Sequence, residues 1–97
     1  MTKVFIANKG SHDFEPAKKF GELIFLSEGE LNKFAIGQLY RQFYTVLRNA
    51  DEEDFFLPTS LPILSAIGTG ILVQKFGRVR YLLFRGGLYV VRTIDFR

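Results

Sequence analysis

The chain has no cysteine and no tryptophan, one histidine, one methionine and three prolines in 97 residues. Without cysteine there is no disulfide framework, no thiolate zinc site and no thiol nucleophile. A single histidine leaves little for a metal centre, which needs several convergent ligands, so no metal is expected. No apolar run approaches the ~20 residues that span a bilayer, so no membrane segment is expected. Val4 to Ala7, between Lys3 and Lys9, is too short for a signal-peptide core, and a cytoplasmic location is the expectation. Nothing matches Gly-x-Gly-x-x-Gly or Gly-x-Ser-x-Gly, and no cofactor is expected. Lys9-Gly10 lacks the spacing of a phosphate-binding Gly-Lys-Ser/Thr loop.

What is present is core material. Hydrophobic residues make up 47% and charged residues 24%, which excludes wholesale disorder. Eleven phenylalanines and four tyrosines supply bulk, and the length fits one domain of roughly 100 residues. Charge is unevenly placed. Residues 1–54 carry seven Lys/Arg against nine Asp/Glu, whereas residues 55–97 carry six Lys/Arg against Asp95 alone. Asp51, Glu52, Glu53 and Asp54 form an acidic run beside the basic carboxyl half. The plain reading is a solvated turn next to Arg-rich strand edges. The functional one is an acidic and a basic patch that meet between subunits or face an anionic partner.

Val4-Phe-Ile-Ala7 reads as a buried strand that ends in the turn signal Asn8-Lys9-Gly10. Ser11 or Asp13 can cap a two-turn helix through Phe20, with Pro16 in its first turn and Gly21 as its stop. Leu23-Ile-Phe-Leu26 is a second strand. Ser27-Glu-Gly-Glu30 has capping-box spacing, with Asn32 the rival cap. Beyond it Ile36, Leu39, Tyr40, Phe43, Val46 and Leu47 fall at helical spacing, predicting an amphipathic helix to about Asn49. Phe55-Phe-Leu57 is a third strand ended by Pro58. Ser60 then caps a helix over 62–76 that is apolar nearly all round. Val79–Phe84 and Leu88–Phe96 flank Gly86-Gly87 as an antiparallel hairpin.

The order β-α-β-α-β-α-β-β predicts a single small Rossmann-like α/β domain. Its sheet is five-stranded and mostly parallel, covered on both faces by about three helices, with right-handed crossovers and a carboxyl-terminal antiparallel hairpin.

Three segments carry a resemblance: Lys3-Val-Phe-Ile-Ala-Asn-Lys-Gly-Ser-His-Asp-Phe14, Phe20-Gly-Glu-Leu-Ile-Phe-Leu-Ser-Glu-Gly29 and Asn32-Lys-Phe34. The chain resembles a family of small uncharacterised proteins encoded by tailed bacteriophages, over its first third and more weakly thereafter. The resemblance implies a viral origin and a host-cytoplasmic setting. It carries no activity onto any residue.

Ligands of open α/β sheets bind outside the carboxyl ends of the parallel strands. That edge gathers Asn8, Lys9, Ser11, His12 and Asp13 after strand one, Ser27 and Glu28 after strand two, and Thr59 and Ser60 after strand three. Each loop is expected to lead into a helix N-terminus, whose free N–H groups attract anions. The expectation is a small anionic ligand, a nucleotide or a phosphate, bound without turnover. Helix capping alone also explains Ser11, Asp13, Ser27 and Ser60, and His12 reads equally as a loop histidine.

Two further classes compete. Arg78, Arg80, Arg85 and Arg92, interleaved with Tyr81, Phe84, Tyr89 and Phe96, suit a nucleic-acid surface on the hairpin. A hydrolase would use His12 with Ser11 or Ser60, although adjacent His12 and Asp13 do not easily form a base–orienter contact. The apolar helix 62–76 and the free edge of the last strand predict a homodimer or larger assembly.

Overall fold

The structure, a computed structural model, describes residues 1–59 and 61–97. Five strands form one sheet: β1 (Lys3–Ile6), β2 (Glu22–Phe25), β3 (Phe55–Leu57), β4 (Arg78–Arg85) and β5 (Leu88–Asp95). Between them lie a 3-10 helix (Glu15–Phe20) and two α-helices, α1 (Ile36–Leu47) and α2 (Pro62–Phe76). The spatial order is β2-β1-β3-β4-β5. β1 pairs in parallel with β2 and β3, and β3 with β4, while β5 runs antiparallel to β4, so the sheet is mixed.

Both faces of the central strands are covered, which is why β1 and β3 read as unbroken apolar runs. Phe5, Ala7, Phe56 and Val79 point to one face and pack with Leu39, Phe43, Leu47, Leu64, Ile71 and Leu72 of the α-helices. Val4, Ile6, Phe55, Leu57 and Leu82 point to the other, where Phe14 and Ala17 cover them together with Tyr89 of the hairpin. Helix α2 crosses so close to the sheet that only glycine fits at 68. A Cβ there would sit 2.8 Å from Cε1 of the fully buried Phe56 ring. The hairpin turns on Gly86 and Gly87, whose φ values of 58° and 86° suit the type I′ turn that follows strand twist.

The first predicted helix is a 3-10 helix, not two α-turns, and its N-cap is Phe14 without a side-chain cap bond. Phe14, Ala17 and Phe20 recur every three residues, and a 3-10 helix aligns positions i and i+3 on one side. That geometry lays all three on the sheet. Helix α1 starts at Ile36, later than the Ser27-x-x-Glu30 spacing predicts, and its N-cap is Ala35. Asn32 shapes the turn before it instead, its Oδ1 accepting the Phe34 N–H at 3.0 Å. The N-cap of α2 is Leu61, and the expected cap Ser60 lies outside the described residues.

Helix α2 is less bare than its sequence suggests. Leu64, Gly68, Ile71 and Leu72 are buried, and small or polar residues such as Ala66, Gly70 and Gln74 face outward. The exposed apolar side chains at this end lie on the hairpin instead: Leu83, Phe84, Leu88, Ile94 and Phe96.

Candidate functional site

With the order 2-1-3-4-5 the chain leaves β1 in one direction and later returns to its other side. The carboxyl ends of β1 and β3 therefore flank the point where connections diverge, the crevice in which open α/β sheets bind ligands. A cleft of about 230 Å³ occupies that place. His12, Asp13 and Phe14 line it from the loop after β1, Leu57, Pro58 and Thr59 from the end of β3, and Leu82, Phe84 and Tyr89 from the hairpin. The floor is apolar and aromatic. Phe84 and Tyr89 meet edge to face with ring centroids 5.2 Å apart, and the rings of His12 and Phe14 do so at 6.2 Å.

Polar groups are few and distinct. Asp13 turns the loop by accepting the Glu15 N–H on Oδ1 at 2.9 Å, which leaves the second carboxylate oxygen free of protein donors among the described residues. Tyr89 is buried, and that burial, with the Asp13 charge as the lesser cause, raises its phenol pKa above the ordinary 10.0. It is thus a neutral hydroxyl at physiological pH. Thr59 Oγ1 is shut away from solvent and has no hydrogen-bond partner among the described residues. Buried hydroxyls are normally paired, so leaving this one unsatisfied costs the fold stability.

Of the nine rim residues expected from sequence, the structure brings some together in one cleft. His12, Asp13 and Thr59 meet in the cleft. Asn8, Ser27, Lys9 and Glu28 do structural work beside it. Ser27 is buried, donating from Oγ to the Ala7 carbonyl at 2.6 Å and lying 3.0 Å from Asn8 Oδ1. Asn8 Nδ2 donates to the Gly29 carbonyl at 3.0 Å, and Lys9 and Glu28 extend the parallel pairing of β1 and β2 by one bridge. The Lys9 ammonium lies 5.3 Å above the Phe25 ring, in a shallower depression shared with His12 and Lys18. Ser11 is exposed, and Ser60 lies outside the described residues. The expected trio of helix N-termini is also absent from this edge: the first helix is 3-10, and α1 begins nine residues after Ser27.

Sequence reasoning assigned Phe84 and Tyr89 to a nucleic-acid surface and did not foresee them, or Pro58, in the cleft. The signal available was register, since the hairpin returns β5 alongside β4 and puts Tyr89 directly opposite Phe84.

For chemistry, no hydrogen bond links Ser11, His12 and Asp13 to one another among the described residues, so no nucleophile–base pair is assembled there. Nor do three His, Asp or Glu side chains gather closely enough to hold a metal ion among these residues. The arginines divide. Arg80 shares a face with Arg78, while the pairing of Tyr81 with Arg92 and of Arg85 with Leu88 puts Arg85 and Arg92 on the opposite face. Arg80 lies 4.2 Å over the Phe55 ring and bonds Glu53 through Nη1, at 2.5 Å to its carbonyl and 3.1 Å to Oε2. Arg78 approaches Glu52 and Glu53 at 3.9 Å. The acidic run and these two arginines therefore meet within one chain.

The fold and site define a small α/β protein with a cleft of about 230 Å³ at the carboxyl edge of a mixed sheet. The family profile described as Phage Pam3 gp32-like protein matches residues 2–94, and the chain belongs to that family of small phage-encoded proteins. Neither a curated protein nor a solved structure matches the chain. No helix among the described residues is long and apolar enough to cross a membrane.

Proposed function

We propose that this phage protein is a single Rossmann-like domain that binds a small ligand in the switch-point cleft without transforming it. The observation that carries the reading is the cleft at the switch point, where Asp13, Thr59 and Tyr89 join an apolar, aromatic lining. A pocket of apolar walls with a few convergent polar groups is the usual form of a small-molecule site. At about 230 Å³ the cleft falls below the ~300–1,000 Å³ of typical ligand pockets, which suits one ring system and not a dinucleotide.

The lining selects among ligands. Asp13 is the one carboxylate among the described residues that line the cleft and is an acceptor, so the inserted group should be planar and rich in N–H donors. A nucleobase fits that description. A phosphate attached to it would be met outside the cleft, on the Lys9 side of His12. The anion-first reading, built on helix N-termini, has less support than this base-first one. The nucleic-acid reading has less again, because Arg78 and Arg80 are engaged with acids and Arg85 and Arg92 face the other way.

Thermal shift with free adenine, adenosine monophosphate and inorganic phosphate tests the reading. Ligand at ~100 times its dissociation constant stabilises by about 2.7 kcal/mol. Stabilisation by adenine that Asp13→Asn weakens supports base-first binding. Stabilisation by phosphate alone, abolished by Lys9→Ala, would replace it with the anion reading. No shift with any of the three would remove both.

A further inference from the structure

The two edges of the sheet are unequal. β2 is four residues long, whereas β5 is eight, pairs with β4 without a bulge from Arg85–Leu88 to Arg78–Asp95, and has no neighbour on its outer side. Natural edge strands are shielded by charged side chains (lysine above all), proline, bulges or shortness. β5, Leu88-Tyr-Val-Val-Arg-Thr-Ile-Asp95, has no lysine, proline or bulge, and its charges are Arg92, whose Nη1 donates to the Val91 carbonyl at 2.7 Å, and the terminal Asp95. Five large exposed apolar residues, Leu83, Phe84, Leu88, Ile94 and Phe96, surround it. Beside it an open apolar groove runs between α2 and the hairpin. Its floor is of small residues (Ser65, Ala66, Thr69 and Gly70), and its rim is of Leu83, Ile94 and Phe96.

We propose that a second copy of this chain covers this edge, through antiparallel pairing of β5 with β5 about a two-fold axis. A two-fold perpendicular to the sheet keeps each face on its own side, so residues of like parity oppose one another. An eight-residue strand allows two registers that leave a single residue unpaired. Placing Arg92 on the axis sets two guanidinium groups directly opposite, which is destabilising. Placing Val91 on the axis opposes Arg92 with Val90, Tyr89 with Thr93, and Leu88 with Ile94. That last pair occurs twice and joins two of the exposed apolar residues at the mouth of the groove. The strand is therefore self-complementary in one register, a property that an unrelated partner would not require. The dimer is a continuous ten-stranded sheet.

The absence of cysteine makes the register directly testable. Directly opposed Cα atoms lie about 4.5–5.5 Å apart, inside the ~4.4–6.8 Å that a disulfide spans. Val91→Cys should therefore form a cross-linked dimer under mild oxidation. Thr93→Cys opposes Tyr89 of the other copy, and its own counterpart is four residues, about 13 Å, away. It should not cross-link. Sedimentation of the unmodified chain at micromolar concentration should give twice 11.1 kDa. Ile94→Lys, which sets an ammonium against the partner's apolar pair, should return it to 11.1 kDa with an unchanged circular dichroism spectrum. A monomeric parent chain overturns the proposal and leaves the edge to a different partner. A dimer in which Val91→Cys cross-links no better than Thr93→Cys, or which survives Ile94→Lys, overturns it as well.

Discussion

Replacing Thr59 with valine should make this protein more stable. The two side chains have nearly the same shape, so the change removes one hydroxyl and little else. In the folded chain that hydroxyl is inaccessible to water and unpaired among the described residues, whereas in the unfolded chain it is hydrated. A buried donor or acceptor left unsatisfied costs about 1–3 kcal/mol. Thr59 as a whole is partly exposed, which places the relief toward the lower end, near 1 kcal/mol. For a domain of this size that corresponds to a rise in Tm of about 4–8 °C. Urea denaturation should show a higher midpoint at unchanged m-value, because the surface exposed on unfolding is the same. An unchanged or lower midpoint would mean that the hydroxyl is satisfied in solution and would refute its burial without a partner.

Other expectations follow from packing, hydrogen bonding and titration. Gly68→Ala gains about 1 kcal/mol of helix propensity but drives a methyl into the Phe56 ring, and overpacking costs about 1–3 kcal/mol. A net loss of stability, relieved by adding Phe56→Leu in a double-mutant cycle, is expected by calorimetry. Asp54 is buried and accepts the Lys3 N–H at 2.9 Å and the Asp51 N–H at 2.8 Å. Asp54→Ala should cost about 1.5–3 kcal/mol in denaturant titration, with Asp54→Asn recovering part of it. Tyr89 has a raised pKa when folded, first by burial and then by Asp13. The unfolded phenol ionises near 10.0 while the folded one resists, so this contribution is whole below that pH and is lost as pH rises through the folded value. Stability measured from neutral pH to beyond 10.0 should fall more steeply in the parent chain than in Tyr89→Phe. Equal slopes would count against the burial of Tyr89.

Period and punctuation made the five strands, α1 and α2 legible, because the runs at β1, β3 and β4 and the helical spacing from Ile36 to Leu47 reflect burial directly. Helix starts were less legible. Ser27-x-x-Glu30 has the spacing of a cap, yet Ser27 is consumed by tying the end of β2 to Ala7 and Asn8, a contact between residues some twenty apart in sequence. The 3-10 helix was visible only as the three-residue recurrence of Phe14, Ala17 and Phe20, and a helix that short is set by tertiary packing more than by propensity. Of the site, the alternation of strands and helices along the chain pointed to the carboxyl edge. The same edge was too coarse a criterion to separate His12, Asp13 and Thr59, which line the cleft, from Asn8, Ser27 and Glu28, which stitch β1 to β2. Tyr89 and Phe84 enter from the last hairpin, whose curl over the second face depends on burying Leu82 and Tyr89, a tertiary preference no local pattern records.

Titrating free adenine into the isotopically labelled protein and following backbone amide resonances tests the central claim most directly. The cleft reading predicts saturable shifts concentrated at Asp13, Phe14, Thr59, Leu83, Phe84 and Tyr89, all of which line one cavity. Shifts absent there, or confined to Lys9 and Lys18 and reproduced by inorganic phosphate alone, would contradict it.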